Sequence, residues 1–168
     1  LELNIFYLNT ELYEKNDSLD DLCVSITKKV KDILSIPVVV KMSKYFNHPI
    51  QLVDRLDKVG ASGVVLFNRF YQPDINIHTM QMTSGHVFSF HSEISDTLRW
   101  TGIISGKLPN VSIASSTGVF DWEDVIKCIL SGASAVEIVS TVYQNGNEMI
   151  SQMIRSMEEW MISMNFNS

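Results

Sequence analysis

Two hydrophobic periods alternate along this 168-residue chain, short β-branched runs and longer stripes repeating every three or four positions. The opening run Leu1-Glu-Leu-Asn-Ile-Phe-Tyr7 reads as a strand. Asn16-Asp17-Ser18 then offers capping oxygens to a helix through about Leu34, with Leu19, Leu22, Val30, Ile33 and Leu34 facing inward. Ile36 to Lys41 is the second strand, apolar enough to be buried on both faces. Asn47-His48-Pro49 starts a helix whose stripe is Leu52, Val53, Leu56 and Val59, and Gly60-Ala-Ser-Gly63 leads into a third strand, Val64 to Asn68. Between Arg69 and Phe90 the pattern loosens. Asp74 to His78 and His86 to Phe90 alternate with period two around Ser84-Gly85, which predicts a hairpin or extended excursion. Ile94 to Leu108 returns to helix, Val111 to Ser115 is a fourth strand, and Asp121 caps a helix running to Ser131. Ala135 to Val139 is the fifth strand, and Glu148 to Met164 a closing amphipathic helix.

Five strands, four of them linked by helical crossovers, predict an α/β fold with a parallel sheet. The echo between Val59-Gly-Ala-Ser-Gly-Val-Val and Leu130-Ser-Gly-Ala-Ser-Ala-Val fits repeated βα units. No GxGxxG follows the first strand, which weighs against a dinucleotide-type open sheet and for the C-terminal part of a (β/α)8 barrel, about five βα units in one domain over residues 1–168. The chain begins at Leu1 inside a strand, so it is expected to be cut from something longer, with open sheet edges at the first and fifth strands that lead either to self-association into a homo-oligomer or to poor expression.

Net charge of −6 argues against nucleic acid, because no basic stripe is available to neutralise phosphates. The longest apolar runs are strand-length, so no membrane partner is expected. Cys23 and Cys128 lack CxxC spacing and read as reduced core thiols of a cytoplasmic protein. The four histidines show no HxH or HExxH spacing, and no metal is expected. Methionines 149, 153, 157, 161 and 164 form a packing stripe on the last helix.

Chemistry gathers at the strand ends, where parallel α/β folds bind ligands. Lys41 closes a buried strand, a place where a lysine suits an anionic or electron-rich ring atom. Asn4, Asn9 and Asn68 bring paired donors and acceptors, which match a flat heterocycle or an amide. Ser115, Ser116, Thr117 and Gly118 follow the fourth strand, and Ser140 and Thr141 the fifth, in the manner of phosphate-binding turns.

In order and spacing, Leu1-Glu-Leu-Asn4-Ile-Phe-Tyr7-Leu-Asn9, Val38-Val-Val-Lys41-Met-Ser-Lys-Tyr-Phe46, Val64-Val-Leu-Phe-Asn68, Ser116-Thr-Gly118-Val and Glu137-Ile-Val-Ser140 resemble the dihydroorotate dehydrogenases of the class 1 type. The resemblance covers essentially the whole chain as the fourth to eighth βα units of an FMN-dependent barrel of pyrimidine biosynthesis. It implies that Asn4 lies near flavin and substrate, and that Lys41 touches the electron-rich edge of the flavin ring. It further implies that Asn9 and Asn68 hydrogen-bond a dihydropyrimidine-like substrate. Thr117-Gly118 and Val139-Ser140 stand where the family holds the FMN phosphate. Tyr7 occupies the position of the catalytic base, a cysteine or serine in the family, and a phenol there needs its pKa brought well below about 10. Arg69, where the family has a small residue, is expected to pair with a substrate carboxylate. The resemblance thus implies an FMN-dependent oxidoreductase, with this segment inactive by itself. A non-catalytic barrel binding a phosphorylated ligand is the alternative, and an aldolase- or isomerase-type enzyme with Lys41 as a Schiff-base lysine is the third.

Overall fold

The computed structural model describes residues 1–6 and 19–166. The opening strand is β1 (Glu2–Asn4), and it is followed by α1 (Leu19–Ile33), β2 (Val39–Ser43), α2 (Pro49–Lys58) and β3 (Gly63–Asn68). An antiparallel ribbon, β4 (Pro73–Asn76) and β5 (Gln81–Ser84), leads through a 3-10 turn at His91–Glu93 to α3 (Ile94–Lys107). Then come β6 (Ile113–Ser116), α4 (Trp122–Leu130), β7 (Ala135–Glu137), α5 (Ser140–Asn145) and α6 (Glu148–Ser163).

β1, β2, β3, β6 and β7 form one parallel sheet in that spatial order, so each new strand is added on the same side of the last. A doubly wound sheet reverses its strand order midway, whereas this sequential winding is that of a (β/α)8 barrel. Alternate strand residues carry it out. Val40, Met42, Val64, Leu66 and Ile113 point to the helices and pack with Cys23, Leu52, Val53, Leu56 and Ile104 in the main core. A smaller cluster of Ile94, Val119, Cys128 and Ala133 continues the core under α4.

Several elements differ from the sequence reading. β2 begins at Val39, so Lys41 is its middle residue rather than its end. The inner face of α1 is Asp20, Cys23 and Thr27, while Leu22 and Ile33 are exposed. Cys23 and Thr27 lie one helical turn apart, and their small side chains let the helix sit close to its neighbours; Thr27 Oγ1 donates to the Cys23 carbonyl at 2.8 Å. The ribbon turns at residues 77–80, and residues 86–90 form no strand. Asn76 Oδ1 accepts from the N–H groups of His78 (2.9 Å) and Thr79 (3.1 Å), an Asx turn that takes precedence over the Ser84-Gly85 signal. Gly85 instead lies at the foot of the ribbon, where its N–H donates to the Gln72 carbonyl at 2.8 Å. A Cβ there would come within 2.6 Å of that oxygen. The short α5 was not anticipated.

Both cysteines are buried, and burial pushes the thiol pKa up to about 12 for Cys23 and about 11 for Cys128. Since the thiolate is the reactive form, neither thiol is nucleophilic at neutral pH. In the full-length protein, a maleimide or disulfide reagent should leave these two unlabelled under native conditions and label both in denaturant. Rapid native labelling of either would contradict the buried placement.

Candidate functional site

The concave face of the sheet, opposite the helices, carries polar groups in the same alternation. Asn4 pairs in register with Lys41, and Ser116 with Glu137. Lys41 Nζ donates to Glu137 Oε2 at 2.8 Å and lies 3.3 Å from Glu2 Oε1. β2 and β7 are three strand spacings apart, roughly 14 Å in a flat sheet. A direct bond between their side chains therefore requires the sheet to curl, as a barrel wall does. Burial works against the ammonium, yet the hydrogen bond and charge of Glu137, followed by the charge of Glu2, outweigh it and hold the Lys41 pKa above the usual lysine value. Glu2 moves the same way. Burial and the neighbouring Glu137 carboxylate raise its pKa more than Lys41 lowers it. A Schiff-base lysine needs the opposite shift to supply a neutral amine, so the geometry speaks against that role for Lys41.

Beside this cluster lies an open cavity of about 280 Å³. Of the residues expected at the site, Lys41, Asn68, Thr117, Gly118, Val139 and Ser140 all line it, together with Glu137 and Ser89. Asn4 sits one step behind, its side-chain oxygen accepting from the Asn68 amide. Tyr7 and Asn9 lie outside the described residues. Ser116 ends β6 rather than following it.

The turn after β6 is shaped by backbone demands. Thr117 has φ of +79° and Gly118 of +85°, so both occupy the left-handed region that glycine adopts at least cost. Thr117 holds that conformation through its own side chain, Oγ1 donating to the Phe67 carbonyl at 2.8 Å. Thr97 Oγ1 on α3 donates to the carbonyls of both Ser116 and Thr117 at 3.0 Å. Gly118 is pressed against the start of α3, where a Cβ would lie 2.7 Å from Ile94 Cα. On the other rim, Ser140 Oγ accepts from Ser89 N–H and contacts Ser89 Oγ, each at 2.9 Å, so the 86–90 segment lies along the edge of the cavity.

Arg69 does not wait for a substrate carboxylate. Its guanidinium is already engaged by Glu93 (3.2 Å), the carbonyls of His86 (2.7 Å) and Val87 (2.9 Å), and Gln72 (3.2 Å). Those bonds clasp both ends of the 69–90 excursion. Below this segment, His91, Asp121 and Asp124 bring ligand atoms within 4.8 Å of one another, a grouping not foreseen from histidine spacing. The Asp124 carboxylate is already held by His91 Nε2 (2.8 Å), Lys127 Nζ (3.0 Å) and the Phe120 N–H (3.0 Å).

Sequence reasoning missed Glu2 and Glu137. A signal existed, since each is a lone carboxylate in an apolar strand, but their meeting at Lys41 depends on the curl of the sheet.

The family model described as dihydroorotate dehydrogenase matches residues 1–161. Curated relatives include the catalytic subunit of dihydroorotate dehydrogenase B (NAD(+)) of Pyrococcus furiosus, 25% identical over 146 residues, covering 85% of this chain and 48% of the relative. The subunit of the same name from Bacillus pumilus is 27% identical, with 86% of this chain and 48% of the relative covered. That from Saccharolobus solfataricus is 24% identical, with 96% and 56% covered. The chain thus spans about half the length of the curated relatives it matches. Among solved structures, DHODH from Eimeria tenella, determined in complex with ferulenol, shares the fold with a TM-score of 0.62 at 18% identity, over 77% of this chain and 35% of that one. With a family match running through all five parallel strands, this chain belongs to the dihydroorotate dehydrogenase family.

Proposed function

We propose that the full-length protein carrying this sequence is an FMN-dependent oxidoreductase that converts dihydroorotate, or a closely related dihydropyrimidine, to the oxidised ring. The observation that carries this reading is the convergence of Lys41, Asn68 and the Thr117-Gly118 turn on one cavity. The donor set suits FMN. It combines a cation for the polar edge of a flat ring, carboxamides for ring oxygens and nitrogens, and a left-handed turn able to approach a phosphate closely. The cavity volume of about 280 Å³ is near the lower end of ligand cavities.

Bound FMN would supply the hydride acceptor, taking two electrons and a hydrogen from one substrate carbon while a proton leaves the adjacent carbon to a base. Lys41 would orient the ring by donating a hydrogen bond to its polar edge. Asn68, held by its bond to Asn4, would present its amide in a fixed direction to the substrate. The backbone of Thr117-Gly118, with Val139-Ser140 opposite, would face the phosphate. Tyr7, which stands at the base position by resemblance in the sequence, would take the proton. Among the described residues no helix is long and apolar enough to cross a membrane. A cytoplasmic enzyme accords with this reading, while residues 1–168 by themselves would self-associate through the open edges of their sheet.

The test is the visible spectrum of the purified full-length protein, before and after anaerobic dihydroorotate. Flavin absorbance that bleaches with substrate is expected. A colourless protein that takes up no FMN on reconstitution would overturn the proposal. Flavin that binds but stays oxidised with every dihydropyrimidine would favour a non-catalytic or differently specific homologue. Lys41→Met should weaken FMN binding about ten- to a hundredfold, the worth of one charge-assisted hydrogen bond. Equilibrium titration of the apoprotein would measure it, and an unchanged affinity would remove Lys41 from the site.

A further inference from the structure

Lys41 is not a bare cation at the cavity wall. Three side chains from three strands meet there, Glu2 from β1, Lys41 from β2 and Glu137 from β7. Two carboxylates face a single ammonium, and all three side chains are at most about a third exposed. Glu137 and Lys41 both line the cavity, so a ring placed against Lys41 also faces the Glu137 carboxylate. At a distance of several ångströms an ion pair acts as a dipole, far weaker than either charge alone.

We propose that Glu137, backed by Glu2, is a tuning residue for the bound flavin, offsetting the Lys41 charge so that the site gives the negatively charged reduced ring little preference over the neutral oxidised one. This rests on the FMN reading above. A lone lysine at that edge would pull the reduction potential up. With Glu137 hydrogen-bonded to its Nζ, much of that pull is cancelled, and the reduced flavin remains a stronger donor to the next electron acceptor. Glu137 acts here through Lys41 and through its field, and it needs no contact with the substrate.

Glu137→Gln is the informative change. The amide keeps the size of the side chain and an oxygen to accept from Lys41 Nζ, and it removes only the charge. The experiment is a spectroscopic redox titration of full-length protein loaded with FMN, with the affinity for oxidised FMN measured alongside, for wild type, E137Q, E2Q and K41M. For E137Q we expect the preference for reduced over oxidised FMN to rise about tenfold, equivalent to an upward shift of about 30 mV for a two-electron couple. E2Q should move the same way by less, and K41M the opposite way. A potential unchanged in E137Q and E2Q, with K41M still shifted, would show that the carboxylates merely brace the barrel wall and would overturn this inference alone. Wild-type protein that binds no FMN would overturn the FMN reading and this inference with it.

Discussion

Gly118→Ala should cost the full-length protein about 3 kcal/mol or more of stability and abolish uptake of FMN. Two independent penalties add at this residue. Its φ of +85° is a region where an L-residue loses roughly 1–2 kcal/mol. The added methyl would also lie 2.7 Å from Ile94 Cα and 2.8 Å from the Glu93 carbonyl carbon. Those are backbone atoms at the start of α3 and cannot swing aside, so overpacking costs a further 1–3 kcal/mol, roughly. Relief requires either α3 or the turn after β6 to move, and that turn lines the cavity. The neighbouring residue supplies the control. Thr117→Gly relieves the left-handed strain at φ +79° but gives up the bond from Oγ1 to the Phe67 carbonyl. Those two terms are each about 1 kcal/mol and opposite in sign, so the variant should be near neutral. Denaturant unfolding of the pair decides the matter. Equal stability of Gly118→Ala and wild type would mean that the turn does not pack against α3 as described.

How much of this was legible in sequence depends on the range of the interaction. Val38, Val39 and Val40 announce a strand whatever surrounds them, and Asp121 announces a helix start because its side chain caps Asp124 N–H only three residues away, at 3.0 Å. Lys41 stood out because a cation in an apolar strand has few reasons to be there. Its partners could not be read, because Glu2 and Glu137 lie 39 and 96 residues away in sequence and meet it only across a curved sheet. The expected α1 stripe is met only in part for a related reason, Leu19 packing on the core while Leu22 and Ile33 face solvent. Leu22 and Ile33 are the larger apolar residues, but the space beside Leu56 and Met42 admits the smaller Cys23. The ribbon turn shows local signals competing. Asn76 and Gly85 both favour bends, and the Asx bonds at Asn76 fix the tip while Gly85 permits close approach at the foot. Arg69 was recognised as unusual, yet its partners include main-chain carbonyls, which no side-chain pattern reveals.

Asp124→Ala should be nearly as damaging as the glycine change, at about 2–4 kcal/mol, and its cost should depend on pH. The carboxylate is fully buried, and it joins three separate pieces of chain. His91 belongs to the turn that ends the 69–90 excursion, Phe120 to the loop after the Thr117-Gly118 turn, and Lys127 to α4. Removing it deprives the Phe120 N–H of its acceptor and deletes two charge-assisted bonds, each worth roughly 1.5–3 kcal/mol before the relief of desolvation. Burial pushes the Asp124 pKa up, but the hydrogen bonds from His91, the Phe120 N–H and Lys127 outweigh it and leave the carboxyl below its ordinary value. A depressed acid binds its proton more weakly folded than unfolded, so its contribution is complete above the unfolded value of about 3.9 and fades as pH falls through the folded one. The gap in stability between wild type and Asp124→Ala should therefore be widest near neutrality and narrow below about pH 4. Asp124→Asn, which retains one acceptor for the Phe120 N–H, should fall between the two at neutral pH. Unfolding midpoints measured across that range test the charge directly. A gap that stays constant down to pH 3 would assign the role of Asp124 to packing instead of to its charge.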